Sequence, residues 1–310
     1  MAPDSMPLAP GTFGRLPDLS DSQTAPQRSL WHELRRDGLT VGSLLVILLL
    51  AVVALAADKV APYDPTAIDM KGQLINGTRV FPPYGPSPAH WFGTDQLGHD
   101  IFSRVIFGIR TSLFIGVVVR GGVMLVGVTL GVVAGYWPGL LREGILRFTE
   151  IMLSFPPLLI AMAITAVLQP SLSTVTISLI LVGWPDVVRL VYGQVLLTRE
   201  MMYVEAARSL GASEWRILWR HILPNIVDLI VVAFSMGIPG AVMYEAGLSF
   251  FGFGIQPPTP SLGSIISDGR GYMTVAPWYT LFPGLALVVM VLAFNFLGEG
   301  LLRLSHRAQS

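Results

Sequence analysis

The sequence predicts an all-α membrane protein with six transmembrane helices and both termini in the cytoplasm. Three observations lead there. Charged residues make up 13% of the 310 positions, about half of the roughly 25% usual in soluble domains. Mean hydropathy is +0.62. Apolar runs close to the roughly 20 residues needed to cross a bilayer core recur along the chain, and the arginines cluster between alternate runs.

Residues 1–37 are rich in Pro, Ser, Asp and Thr and hold no apolar run. They are too polar for a signal peptide and read as a largely disordered cytoplasmic tail. The first span occupies 38–57, with its apolar run starting at Thr40. Residues 58–111 form an extracytoplasmic loop punctuated by Pro62, Pro65, Pro82, Pro83, Pro86 and Pro88, with a short helix expected after Asp95. Asn76-Gly77-Thr78 matches a glycosylation sequon but reads as an ordinary turn. The remaining spans, at 112–136, 151–168, 175–195, 226–249 and 278–301, make a five-helix core over 112–302, and 303–310 is a cytoplasmic tail. The run at 175–195 is interrupted by Asp186 and Arg189. It counts as a span because Val175 to Val182 is strongly apolar and an odd number of crossings would misplace the later loops.

Orientation follows the arginines. With the N-terminus inside, Arg28, Arg35, Arg36, Arg142, Arg147, Arg199, Arg208, Arg216, Arg220, Arg303 and Arg307 all lie inside. The outer loops then hold both lysines, Lys59 and Lys71, offset by Asp58, Asp64, Asp69, Asp95 and Asp100. Within the second span, Gly127, Gly131 and Gly135 recur every fourth residue, a small-residue stripe that lets helices pack closely in lipid. Pro156, Pro157, Pro239 and Pro283 remove backbone donors and mark kinks.

Several function classes drop out. Zero net charge gives no footprint for nucleic acid. With no cysteine there is no disulfide, thiolate metal site or cysteine nucleophile. His32, His90, His99, His221 and His306 all fall outside the spans, which disfavours an intramembrane enzyme. A phosphate-cradling loop needs Gly-Lys-Ser/Thr, whereas Lys59 and Lys71 follow Asp and Met. No catalytic residue and no metal-ligand set is identified. An ion-coupled transporter would call for inverted repeats, and no convincing repeat is present.

Ionised side chains at membrane depth cost about 2.5–3.5 kcal/mol each on insertion scales and mark functional candidates. Arg120, Asp186, Arg189 and Glu245 are these candidates, either lining a pathway or pairing between helices. Asp186 and Arg189, three residues apart, are expected to satisfy one another.

The loop at 199–224 is the most informative stretch. Helix formers around 203–210 stop at Gly211, suited to a left-handed cap. Ser213 caps a second helix with Glu214 in its first turn. Ala206 and Ala207 offer little bulk, and Trp215, Leu218 and Trp219 fall on one face at helical spacing. From the residues alone, an interfacial amphipathic helix and a partner-docking loop remain equally open.

The segment Glu205-Ala206-Ala207, then Gly211-Ala212, then Leu223-Pro224 resembles the coupling loop of ABC importer permeases. His221-Ile222-Leu223-Pro224-Asn225 is similar to the dipeptide and oligopeptide (and nickel) branch, and His221 departs from the broader pattern, which has a branched aliphatic there. Phe92-Gly93-Thr94-Asp95-Gln96-Leu97-Gly98-His99-Asp100 resembles a signature before the second span of the C-type inner-membrane subunit, with His99 in place of arginine. Here Asp95 is placed to cap the helix and Asp100 to pair with Arg104. Glu245-Ala246-Gly247-Leu248-Ser249-Phe250-Phe251-Gly252 extends the likeness.

The resemblance implies a type I ABC importer permease fold and a non-catalytic subunit of the bacterial inner membrane, forming half of a translocation pathway. Its implied partners are a second homologous permease, two ATPase subunits that hold the ATP and magnesium, an extracytoplasmic binding protein, and membrane lipid. No cofactor is implied for this chain itself. Glu205, Ala206, Ala207, Gly211, Ala212, Trp215, Leu218 and Pro224 become the ATPase-coupling residues, and di- or oligopeptides the cargo. Nickel, glutathione and oligosaccharide are the alternatives.

Overall fold

A computed structural model of the chain describes residues 37–309 apart from 71–72 and 76–77. The expectations for the tail before Asp37 and for the Asn76-Gly77 turn lie outside these residues.

Among the described residues, the elements in chain order are α1 (Gly38–Leu55), α2 (Ala57–Val60), β1 (Gln73–Ile75), β2 (Thr78–Val80), α3 (Ile101–Tyr136), α4 (Leu140–Leu153), α5 (Pro157–Leu168), α6 (Leu172–Arg199), α7 (Met202–Ser209), α8 (Glu214–Ile217), α9 (Leu223–Phe250), α10 (Leu262–Gly269) and α11 (Trp278–Gln309). The two short strands pair antiparallel and sit in the long loop. With an isolated bridge between Thr94 and Asp100, they are the β-structure among the described residues of an otherwise helical chain. Five helical paths, which include α1, α3, α6, α9 and α11, are long and apolar enough to cross a membrane.

The sixth crossing differs from its prediction at 151–168. The chain there is a bent pair, α4 and α5, meeting at 86°. Residues preceding proline avoid the α region, and the Ser154-Phe155-Pro156-Pro157 run forces the break. Residues 151–153 therefore close α4, and α5 alone is only about 18 Å long at 1.5 Å per residue. In α4, Leu140, Leu141, Phe148 and Ile151 are exposed alongside Arg142, Glu143, Arg147 and Glu150. That mixture suits a helix lying at a membrane interface.

The second span also begins earlier than predicted. Rather than a short helix leading into a span at 112, α3 is one 36-residue helix starting at Ile101. At the other end of the chain, α11 runs through Gln309, so 303–309 continues the last helix. Arg303 reaches back to Asp37 at 2.7 Å, joining the end of α11 to the start of α1.

The glycine stripe of α3 lies against α6. A Cβ at Gly127 would fall 2.5 Å from the Val187 Cβ, one at Gly131 2.8 Å from that of Val191, and one at Gly135 2.8 Å from that of Val195. Three glycines thus receive three valines at matching four-residue spacing. In lipid, where no hydrophobic force gathers helices, such close fit is what holds them. Helix α3 serves two cores. One gathers α3, α5, α6 and the start of α9 around Ile115, Val182, Val191 and Ile226. The other gathers α1, α3, α9, α10 and α11 around Ile101, Val242, Leu262 and Tyr279.

Candidate functional site

The 199–224 segment folds as two short helices joined by a turn. The first, α7, ends at Ser209 with Leu210 as its C-cap, and Gly211 follows with φ +79°. Its amide donates to the Arg208 carbonyl at 3.0 Å. Ser213 caps α8 by accepting from the Arg216 amide. Val204 and Ile217 are fully buried and anchor the pair from beneath.

Pro224 does not begin a new helix. A π-helical turn at Leu218–Ile222 joins α8 to α9, so the helical path is continuous from Glu214 to Phe250. Pro224 follows directly on this π turn, where the Leu223 amide donates five residues back to the Leu218 carbonyl and the regular i→i−4 ladder is already interrupted. The expected apolar ridge is divided between two faces. Leu218 turns into the core at 3% exposure, while Trp215 and Trp219 stay outside at 63% and 65%.

Of the other residues expected to meet an ATPase, Glu205, Ala206 and Gly211 are exposed, and Ala207 and Ala212 are half-buried. Leu210, unremarked in the sequence, projects at 88%. Beside α7 lies a polar groove of about 660 Å³ lined by Arg142, Arg199, Glu205 and Arg208 among others. Glu214 ties the loop to the end of α3 by accepting from the Tyr136 hydroxyl. It also lies 3.6 Å from Arg208. Arg199 donates to the Tyr136 carbonyl at 2.9 Å, and Trp137 meets Trp215 edge-on at 5.8 Å. These ties were not legible in sequence, although the Tyr136-Trp137 pair at the end of an apolar run was a signal for an anchoring belt.

The membrane charges fall into two groups. Glu245 is fully enclosed, its Oε1 accepting from Ser249 and Ser261 at 2.8 Å each. Ser261 also caps α10, so Glu245 moors that helix to α9. Arg120, Asp186 and Arg189 form the second group, near the middle of the bundle. Arg120 donates through Nε and Nη2 to the Ala233 carbonyl of α9, at 3.1 and 2.6 Å. Asp186 and Arg189 are both exposed. Among the described residues they form no ion pair, contrary to the expectation that they satisfy one another.

The 92–104 motif forms a clip at the opposite end, with its two acids in exchanged roles. Asp100, not Asp95, caps α3, accepting from the Ser103 amide at 2.8 Å, and it holds His90 at 2.9 Å. Asp95 is wholly buried and pairs with Arg104 and with His99 at 2.7 Å. Burial alone would raise the Asp95 carboxyl. The His99 hydrogen bond, the Arg104 and His99 charges and the Leu97 amide outweigh it and hold the group below the ordinary carboxylate value. Gly93, at φ +75°, lets the backbone pass under Trp278, whose indole nitrogen would lie 2.6 Å from a Cβ there.

Comparison with known proteins gives concordant results. Residues 127–310 match the family described as binding-protein-dependent transport system inner membrane component. Residues 26–77 match the N-terminal TM domain of oligopeptide transport permease C. The chain is 40% identical over 287 residues to the glutathione transport system permease protein GsiD of Pectobacterium atrosepticum, covering 92% of this chain and 93% of that one. It is 41% identical over 281 residues to the protein of that name from an Escherichia coli strain, covering 91% and 90%. Among solved structures, the MetNI methionine ABC transporter in inward-facing conformations has a chain that aligns with a TM-score of 0.55 at 21% identity, over 66% of this chain and 96% of that one.

Proposed function

Since the chain belongs to the family of binding-protein-dependent transport system inner membrane components, as the permease subunit of an ABC importer, we propose that it imports di- or oligopeptides and takes its drive from an ATPase at the 205–224 loop. Family membership makes it a non-catalytic, multi-pass inner-membrane protein that works with ATPase and substrate-binding partners. The finer assignment is our reading: one homologous second permease, two ATPases that hold the ATP and magnesium, both termini cytoplasmic, and no cofactor on this chain. The arginine bias supports the orientation, as does the Arg303–Asp37 contact, which requires the ends of the first and last spans to share a side.

The observation that carries the coupling reading is the unbroken helical path from Glu214 to Phe250. At 1.5 Å per residue, its 37 residues reach about 55 Å. A partner pressing on exposed Trp215 or Leu210 moves a lever that continues into the membrane. The Glu214–Tyr136 tie carries the same displacement to α3. Small side chains at Ala206 and Ala207 let the partner approach the backbone, and the groove beside Arg142 and Arg208 flanks the contact.

Glutathione, the cargo in the names of the relatives, is a tripeptide and fits the same reading as a specific case. Uptake of a peptide panel including glutathione, by cells lacking this permease and complemented with it, identifies the cargo. Gly211→Pro tests the coupling. Proline can neither adopt the positive φ nor donate to Arg208, so ATP-driven uptake is expected to fall at least about tenfold while the chain still inserts. Gly211→Asn, which tolerates the left-handed region, is expected to retain most uptake. Unimpaired uptake by Gly211→Pro removes the coupling role.

A further inference from the structure

Arg120 lies about 28 Å along α3 from its first residue at 1.5 Å per residue, close to the middle of the bundle. Its seat on α9 is shaped for it. A Cβ at Gly237 would fall 1.8 Å from the guanidinium Nε and 2.1 Å from Cζ, so only glycine at 237 admits the side chain. Two of its nitrogens are spent on the Ala233 carbonyl. Nη1 makes no hydrogen bond among the described residues.

Around this arginine the bundle leaves charge uncovered. Asp186 of α6 is exposed and forms no ion pair with Arg120 among the described residues. Arg189 follows one turn along α6, exposed, with no ion pair among the described residues. With Asp228 of α9, exposed and five residues before Ala233, the charges near this part of the bundle are two positive and two negative. Ionised groups at such depth face a bundle interior or a water-filled cavity, never lipid. A simple tie between α3 and α9 would account for the contact with Ala233. It would not account for the free Nη1.

We propose that this face lines the translocation pathway and that Arg120 is a specificity-determining residue there, favouring substrates that carry a carboxylate in excess of their amines. The proposal rests on the reading of the chain as a peptide permease and names the substrate class for it. Nη1 supplies one charge-assisted hydrogen bond to a passing carboxylate. Arg189 extends the positive field toward the coupling end. Asp186 tempers it, so that the anion is attracted without being trapped, the balance that any conducting site needs.

The test uses the complete transporter in proteoliposomes, with its second permease, ATPases and binding protein. The probes are Ala-Glu-Ala and Ala-Gln-Ala, alike in shape and different by one charge. Maximal uptake rates are read, since the binding protein governs half-saturation. Arg120→Met is expected to lower the ratio of Ala-Glu-Ala to Ala-Gln-Ala transport by about tenfold, the scale of one charge-assisted hydrogen bond. ATP hydrolysis with Ala-Gln-Ala should stay at the wild-type rate. Arg120→Lys should keep part of the preference, and Gly237→Ala, which unseats the guanidinium without removing it, should lose it. An unchanged ratio in Arg120→Met overturns the proposal. So does an equal loss of both probes together with ATP hydrolysis, which is the mark of a helix tie alone. A wild-type transporter that moves neither peptide overturns the peptide reading, and this inference with it.

Discussion

At one end of the bundle, Asp95, His99 and Arg104 are shut inside a loop whose ionic groups find partners within the chain. At the other, Leu210 stands in the open at the end of α7, and Trp215 and Trp219 stand in the open on a lever continuous with a membrane span. Both regions are short polar segments joining apolar helices, yet their energetics are opposite. The clip satisfies buried charge locally and fixes where α3 begins. The coupling loop spends little on itself beyond the anchors Val204 and Ile217 and leaves apolar surface uncovered. Uncovered apolar side chains beside a polar groove mark a surface completed by another protein. Stability should therefore reside in the clip and the helix seams, and function in the loop.

The largest loss of stability is expected from Asp95→Ala. The substitution leaves Arg104 buried with only Asp268, 3.6 Å away, for a partner. Breaking one side of a buried pair costs about 3–5 kcal/mol, and the residual Asp268 contact places this case near 3. Thermal unfolding of the purified chain in detergent measures it. The linkage has a definite sign. Because the folded Asp95 carboxyl lies below its ordinary value, its contribution is full above about pH 4 and fades as pH falls through the folded value. Wild type and Asp95→Ala should thus converge in stability under strong acid and differ at neutral pH. A constant difference down to strong acid would remove the ionic account of the clip.

An intermediate loss is expected between the two ends, at the seam of α3 and α6. Gly131→Val adds bulk where even a Cβ lies 2.8 Å from the Val191 Cβ and 3.0 Å from the Val188 carbonyl oxygen. Overpacking of this kind costs about 1–3 kcal/mol. Gly121→Val on the same helix meets nothing within 4 Å and serves as the control. Equal midpoints for the two variants would mean that the seam is loose.

What the sequence disclosed and what it hid divide along the same physical line. Five crossings were legible because a bilayer demands long apolar runs, and the glycine stripe because its spacing matches one helix face. The third crossing was misdrawn because hydropathy does not register where Pro156 and Pro157 break a helix that is half interfacial. Asp95 and Asp100, five residues apart, are interchangeable as caps by local rules. Tertiary partners, His90 for one and Arg104 for the other, decide between them. Leu218 was misplaced because helical spacing puts it at an edge, between exposed Trp215 and buried Ile217, and tertiary packing decides which face it joins. The seat of Arg120 at Gly237 is 117 residues away in the chain, and a lone glycine two positions before Pro239 was its only trace.

The smallest effect on stability is expected at the coupling loop, where it matters most for the comparison. Leu210→Ser and Trp215→Ser replace side chains exposed at 88% and 63%, and surface changes of this type stay within about 0.5 kcal/mol. Trp215 keeps an edge contact with Trp137, so of the two it should show the larger shift. The double variant should insert, resist thermal unfolding like the wild type and keep its second permease. On affinity purification it should lose the ATPase, because the apolar surface the partner would cover is gone. Leu218→Ser is the counterpart one turn away. Its side chain is buried at 3%, so that variant should lose stability first, and its retention of the ATPase should fall only as the fold does. If instead the double variant unfolds early, the loop is part of the core and the contrast between the two ends fails. If it folds and retains the ATPase, the docking surface lies elsewhere, with the polar groove beside Arg142 and Arg208 as the next place to cut.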